Sequence, residues 1–415
     1  MTATLTAPVR VHRGILLAVA LTALNLRTAV TGFSVLTGDA AGDLHFGPVV
    51  AGAIGTIVTA CFAVAAFAAP VLAQRLGLER TAALAVTTAT AGILLRAVAW
   101  SPGVLIVASV VAFAGVGACN VVLIPIVKQH FPERLHAVST MYMVLLQVGQ
   151  LAAPLVALPL AHVYGWRTAA GVWAVVTAVA AALWLAATPR TRKLTGGRTG
   201  EPTGGRMGDP ASDPVRAGTE PARLGPPRST WRTPLVVGLI GLMAMTTLHV
   251  YTLVTWFPAM LQDAGLSATR SALLLSWFAG LGLIAAFVVP PLTRRLTNAY
   301  GIVVVCAVLM AVGYVGMIVA PASGAFVWAT AFGLGVSTFP LVLTLIGVRS
   351  ADPRTASRLS GVVQGIGYGI GCVGPLALGA INQATGGWNL TYGLLAATLL
   401  ITLGAGWTAC RPATV

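Results

Sequence analysis

One arginine sits where hydrocarbon is expected. The stretch Leu24-Asn25-Leu26-Arg27-Thr28-Ala29-Val30-Thr31-Gly32 lies inside an otherwise apolar run from about Gly14 to Leu36. That run is long enough to cross a bilayer, which takes about 20 residues of helix. A guanidinium near its middle costs at least about 2.5–3.5 kcal/mol to insert, and it cannot shed its proton to escape. It needs a partner, water or a visiting anion. Thr31 and Ser34 follow at i+4 and i+7, so a helix here carries one polar stripe headed by the arginine. Two readings stand side by side: Arg27 is hydrogen-bonded to carbonyls of a neighbouring helix, or it faces an aqueous cavity and contacts a solute.

The elements that must position it follow from composition. The chain has 415 residues, 57% hydrophobic and 8% charged, against about 25% charged in a soluble domain. A polytopic membrane protein is the class that fits. The net charge of +15 does not point to nucleic acid once it is mapped. Of 25 Lys/Arg, Arg167 and Arg270 fall on one side, Arg27 and Arg96 fall within spans, and the remaining 21 share the other side. That is the positive-inside bias, which puts both termini in the cytoplasm and makes the number of spans even. All ten acidic residues fall outside the predicted spans, so Arg27 has no carboxylate in its own layer. This favours the solute reading. The five cysteines are scattered through apolar segments without metal-ligand spacing and read as small buried hydrophobes. The first run follows Arg10 and Arg13, but it is too long for a signal peptide and contains Arg27, so it reads as a retained span.

Twelve spans are predicted. Six cover about 14–36, 49–73, 81–99, 103–127, 136–160 and 168–187. A Gly-, Pro-, Arg- and Thr-rich segment, 188–232, cannot form a core and is expected to be a flexible cytoplasmic linker. Six more spans cover about 233–261, 267–292, 299–319, 324–347, 356–381 and 388–408. The units are then 14–187, a six-helix bundle, the linker 188–232, and a second bundle, 233–408. The halves repeat at an offset of roughly 220 residues. Ala66-Phe67 with Pro70-Val71-Leu72-Ala73-Gln74-Arg75-Leu76 answers to Ala286-Phe287 with Pro290-Pro291-Leu292-Thr293-Arg294-Arg295-Leu296. Gly165-Trp166 answers to Gly387-Trp388, Gln147 to Gln364, and Asn120 to Ser337. The common order argues for a duplicated unit in parallel orientation.

Six plus six spans, a long central loop and basic loops after the second and eighth spans resemble the major facilitator superfamily. Leu72-Ala73-Gln74-Arg75-Leu76-Gly77-Leu78-Glu79-Arg80 is similar to its signature loop, normally Gly-x-Leu-Ala-Asp-Arg-x-Gly-Arg. Arg75 and Gly77 match, while Pro70 replaces the leading Gly and Gln74 the Asp. The resemblance implies an all-α membrane fold of two pseudo-symmetric six-helix bundles, and a cytoplasmic gate to which Arg75, Gly77, Arg80, Arg134, Arg294 and Arg295 contribute. Within the superfamily, Asn25-Leu26-Arg27-Thr28-Ala29-Val30 resembles the first-span motif of the CynX/NimT family of cyanate and 2-nitroimidazole transporters. That group also carries Leu-Leu-Arg late in span 3, here Leu94-Leu95-Arg96. Its Tyr-x-x-x-x-Trp-x-Pro in span 7 is here Tyr251 through Pro258.

In such an architecture a site lies near the midplane between the halves. The candidates are Arg27 with Asn25 and Thr31, then Asn120, Gln147, His249, Tyr251, Trp256, Trp277, Ser337, Gln364 and Tyr368. His249 is opposite Arg27 by pseudo-symmetry, so the pair could clamp one solute, and it is the evident proton carrier at this depth. The alternative is a neutral imidazole hydrogen-bonded between helices. Tyr251, Trp256 and Trp277 could wall a planar solute or simply pack. The amides and hydroxyls could line a cavity or serve as interhelical glue. Arg96, near the end of span 3, is expected to be structural and to snorkel to headgroups. The glycines 361, 365, 367, 369 and 371 are expected to give span 11 a smooth contact surface.

The expected function is secondary active transport of a small anionic or strongly polar solute, a cyanate-like anion or small heterocycle, by alternating access. It would take place in a bacterial cytoplasmic membrane, in a monomer without cofactor, with a proton as possible coupling ion. The alternatives are an exporter of small heterocyclic compounds and, remotely, a membrane-embedded enzyme.

Overall fold

The structure, a computed structural model, describes residues 9–187, 233–350 and 353–411; the proposed linker, 188–232, lies outside the described residues. Everything described is helical or turn, as a chain in lipid requires: with no water to bond backbone groups, each segment must satisfy its own. The first half contains α1 (Val9–Ser34), a short α2 (Thr37–Leu44), α3 (Pro48–Leu76), α4 (Leu78–Ala97), α5 (Pro102–His130), α6 (Leu135–Gly171) and α7 (Trp173–Ala187). The second contains α8 (Pro234–Asp263), α9 (Ala268–Arg295), α10 (Tyr300–Val319), α11 (Ala325–Gly335), α12 (Thr338–Arg349), α13 (Pro353–Gly371), α14 (Val373–Thr385) and α15 (Asn389–Ala409).

Local chemistry sets the boundaries. The side chains of Ser101, Thr233 and Ser267 accept from backbone N–H groups three residues on, capping α5, α8 and α9. Pro102 and Pro234 open α5 and α8, where a missing N–H costs nothing. Eleven helical runs among the described residues are long and apolar enough to span a membrane. One of them, Ala137–Ala187, has 51 residues and would measure about 75 Å if straight, against a hydrocarbon thickness of about 30 Å. It turns back at Gly165, whose φ of +83° only glycine tolerates well. Both α6 and α7 then pack on α1, so this run makes two crossings and the described residues make twelve. The last two predicted spans before α15 are each broken in two, as α11–α12 and α13–α14.

The helix contacts repeat from half to half. α1 packs on α6 and α7 as α8 packs on α13 and α15, and α4 packs on α5 and α7 as α10 packs on α11 and α15. Between the halves, α3 lies along α13 and α14, and α6 lies along α9. Glycines let these seams close. A Cβ on Gly52 would stand 2.5 Å from the carbonyl oxygen of Pro375, and one on Gly379 would stand 2.7 Å from that of Pro48. In α13, Gly365 carries the Phe67 ring while Gly367 and Gly371 seat Met243 and Thr247 of α8.

Five of the hydrogen bonds that cross between the halves lie at unequal depths. Thr56 Oγ1 donates to the Cys372 carbonyl (2.8 Å) and accepts from Leu376 N (3.1 Å). Val49 N donates to Gln383 Oε1 (3.3 Å), and Ser34 Oγ donates to the Val254 carbonyl. These four lie in the part of the bundle far from the start of α1 and the end of α15, here the distal side. The fifth, from Arg27 to Tyr251, lies at mid-depth. Toward the terminal side, α1 presents a stripe of at least partly exposed residues, Leu17, Ala20, Leu24 and Arg27; beyond it, Thr31 and Ser34 are buried. The distal side is sutured; the stripe along α1 ends at the arginine.

Candidate solute site

Arg27 stands at the end of that stripe, only partly buried. Its Nη1 donates to the Tyr251 hydroxyl of the other half at 2.5 Å. The guanidinium carbon lies 5.9 Å from the centre of the Phe62 ring and 5.7 Å from that of Tyr251, within cation–π range. Tyr368 meets Phe62 and Tyr251 edge-on, at 5.7 and 6.3 Å. Tyr142 lies within electrostatic reach. The cation is thus ringed by one phenylalanine and three phenols drawn from α3, α6, α8 and α13, with no ion pair to a carboxylate among the described residues. Phenols bond the guanidinium without cancelling its charge, so the site keeps a positive potential that an anion would meet.

The other candidates divide. Tyr251 and Tyr368 share this box. Gln147, partly exposed on α6, sits against Gly282 of α9 across the interface. Gln364 is partly exposed one turn from Tyr368 and donates to Ser360 (2.6 Å). Asn120 accepts from Tyr142 at a long 3.5 Å. Asn25 and Thr31 are buried in their own half: Asn25 bonds the Trp173 carbonyl and Thr28, and Thr31 bonds the Arg27 and Gln150 carbonyls. Ser337 is buried at the break between α11 and α12.

Three expectations need correction. His249 does not face Arg27. Its Nδ1 lies 2.7 Å from the Tyr314 hydroxyl and its Nε2 3.3 Å from Thr398 Oγ1, inside the second half. Both ring nitrogens thus have partners within the second half, and Thr398 also donates to the Leu395 carbonyl. Trp256 and Trp277 are not walls of the box. Trp256 is buried on the distal side, donating to the Pro375 carbonyl and packing on Trp388, and Trp277, 42% exposed, stacks on the exposed Phe326 at the bundle surface. Arg96 does not snorkel; it is 3% exposed, within the first half.

Sequence reasoning missed Phe62 and Tyr142, which look like ordinary core aromatics until α3 and α6 are placed. It also missed a duplicated brace on the distal side. Asp43 accepts from the Trp166 indole (3.1 Å) and pairs with Arg167, and Asp263 accepts from the Trp388 indole (2.8 Å). The Trp166 and Arg167 hydrogen bonds hold the Asp43 carboxyl below the usual carboxylate range. The near-equal offsets of Asp43 to Asp263 and Trp166 to Trp388 were the available signal. Of the loop residues, Arg75, Arg134, Arg294 and Arg295 are exposed on the terminal side, with Arg80 beside them, and Gly77 turns the chain at φ +87°. Glu79 there accepts from Gln129 (3.1 Å) and pairs with His130 at 2.7 Å, within the first half.

Two repeated six-crossing bundles with a polar, cationic mid-depth site on their interface define a membrane transporter scaffold. A family model described as Major Facilitator Superfamily matches residues 15–375, and the chain belongs to that superfamily of transporters. It is 27% identical to the 2-nitroimidazole transporter of Escherichia coli (strain K12), over 89% of this chain and 88% of that one. It is 25% identical to the cyanate transport protein CynX of the same strain, over 77% of each. Among solved structures it is similar to an inward-facing, occupied bacterial homolog of the human lysosomal transporter Spinster. There the TM-score is 0.71 and the identity 16%, over 97% of both chains.

Proposed function

We propose that this protein is a secondary active transporter for a small planar solute that is anionic or strongly dipolar, and that Arg27 is its anchor. The observation that carries the reading is the Arg27–Tyr251 bond: a permanent cation of one half, without a carboxylate, held by a neutral hydroxyl of the other. A solute anion binding Arg27 takes the place of the phenol, and the flanking rings of Phe62, Tyr251 and Tyr368 favour a flat molecule. Gln147 and Gln364 are placed to orient it.

Binding then acts on a cross-half bond at mid-depth, which links occupancy to the rocking of the halves. With the positive-inside bias, the terminal side is cytoplasmic and the structure is closed to the outside. Arg75, Gly77, Arg80, Arg134, Arg294 and Arg295 lie where an inner gate would close. The two named relatives support small anions or heterocycles as cargo. The membrane is a bacterial cytoplasmic one, and the working unit is a monomer.

The test is flux into and out of proteoliposomes with cyanate, 2-nitroimidazole and 4-hydroxybenzoate. Saturable flux of at least one of them, lost in Arg27→Gln, supports the reading. Flux of bulky cationic heterocycles instead, insensitive to Arg27→Gln, contradicts it. The direction of net flux separates importer from exporter.

A further inference from the structure

The second intramembrane arginine has buried donors that its neighbours do not satisfy. Arg96, in the last turn of α4, spends Nη1 on the carbonyl oxygen of Ala29 in α1 at 3.0 Å. Its guanidinium carbon lies 3.9 Å from the centre of the Phe33 ring and 5.2 Å from that of Phe113. Nε and Nη2 are buried and have no hydrogen-bond partner among the described residues. Those two N–H groups are the side-on edge of a guanidinium, whose parallel donors suit one acceptor held by both. Trp173 of α7 also leaves its buried indole N–H unpaired. That nitrogen lies 3.4 Å from where a Cβ on Gly32 would stand. Ala29, Gly32 and Phe33 share one face of α1, roughly opposite the face of Arg27.

Three orphaned donors, two of them on a full positive charge, therefore flank one face of one helix. Buried donors without acceptors are rare and call for a water or ion. A water in the fork would satisfy the N–H groups and leave the charge uncompensated; an anion answers both needs. Among the described residues the ion pairs are His130–Glu79 and Arg167–Asp43, and neither involves Arg96. We propose that a small monovalent anion, a halide or compact oxyanion, resides between α1, α4 and α7. The Nε–Nη2 edge of Arg96 holds it, with the Trp173 indole as a further donor. It is a fixed ion inside the first half and not the cargo, and the proposal does not rest on Arg27 binding solute.

The experiment is thermal unfolding of the purified full chain in detergent, in sodium chloride, nitrate and gluconate at equal ionic strength. Chloride and nitrate are expected to raise Tm over gluconate in the wild type and equally in Arg27→Gln, and to have no effect in Arg96→Gln. Trp173→Phe is expected to raise the chloride concentration at half-effect several-fold. Should Arg96→Gln fail to fold, Arg96→Lys, which keeps the charge and loses the fork, is expected to weaken the chloride effect while folding. Equal Tm in the three salts for the wild type would overturn the proposal and leave a water, or nothing, in the fork. A chloride effect retained in Arg96→Gln or unmoved in Trp173→Phe would place the anion elsewhere and overturn it as well.

Discussion

Two arginines lie within the spans, and their surroundings could hardly differ more. Arg27 is partly exposed at the interface of the halves, bonded to a hydroxyl that belongs to the other half. Arg96 is sealed within one half, bonded to a backbone carbonyl and covered by two phenylalanine rings. Both are stranded charges, and insertion penalties alone treat them alike. The difference is whether the partner can be exchanged. A carbonyl fixed in α1 cannot leave; a phenol on a mobile half can. An intramembrane charge can take part in exchange when its partner is replaceable; when its partner is fixed it holds only resident groups, a backbone carbonyl and, at Arg96, the proposed ion.

The largest effects should come from replacing each arginine by an apolar residue of similar length. Arg27→Met is expected to abolish proteoliposome uptake with Tm close to wild type. Arg96→Met is expected to retain uptake within a few-fold, because a buried charge exchanged for well-packed hydrocarbon is often tolerated. Equal loss of uptake from both would erase the distinction. Next in size is His249→Gln, which breaks a doubly bonded imidazole inside the second half. It should cost about 1–3 kcal/mol of stability and leave the pH profile of flux unchanged. A flattened profile would restore His249 as the proton carrier.

Tyr251→Phe sharpens the exchange itself. Removing the phenol removes the solute's competitor, so KM should fall a few-fold while the maximal rate also falls, because the mid-depth link is gone. A raised KM at unchanged maximal rate would make Tyr251 an ordinary solute contact. The smallest effect belongs to the distal brace. The Asp43 carboxyl is held below its ordinary range by Trp166 and Arg167. Its contribution is present above the usual carboxylate range and is lost as pH falls through the depressed value. Asp43→Asn should therefore lower Tm slightly near neutral pH and reduce the further drop on acidification; an unchanged acid limb would show that the brace carries no stability.

The fold was legible because lipid simplifies the problem. Apolar runs of spanning length and a repeated Gly-Trp left little choice of architecture, and Arg27 declared itself by being costly. Boundaries blurred where a helix breaks without leaving the membrane, between α11 and α12 and between α13 and α14. The candidate cluster was legible in part. Arg27, Tyr251 and Tyr368 meet, whereas His249 and Trp256 sit on the same helix as Tyr251 and point into other packing. Sequence spacing gives the face of a helix, and only the neighbouring helices decide what that face meets. Phe62 illustrates the limit, since nothing in its local sequence distinguishes a core ring from the wall of a cationic box.

The account turns on whether a solute takes the place of the Tyr251 phenol at Arg27. Calorimetric binding of 2-nitroimidazole, cyanate and 4-hydroxybenzoate to the purified protein, in wild type, Tyr251→Phe and Arg27→Gln, tests this most directly. The prediction is measurable binding of at least one ligand, tighter in Tyr251→Phe and absent in Arg27→Gln. Binding that is indifferent to Arg27→Gln would contradict it.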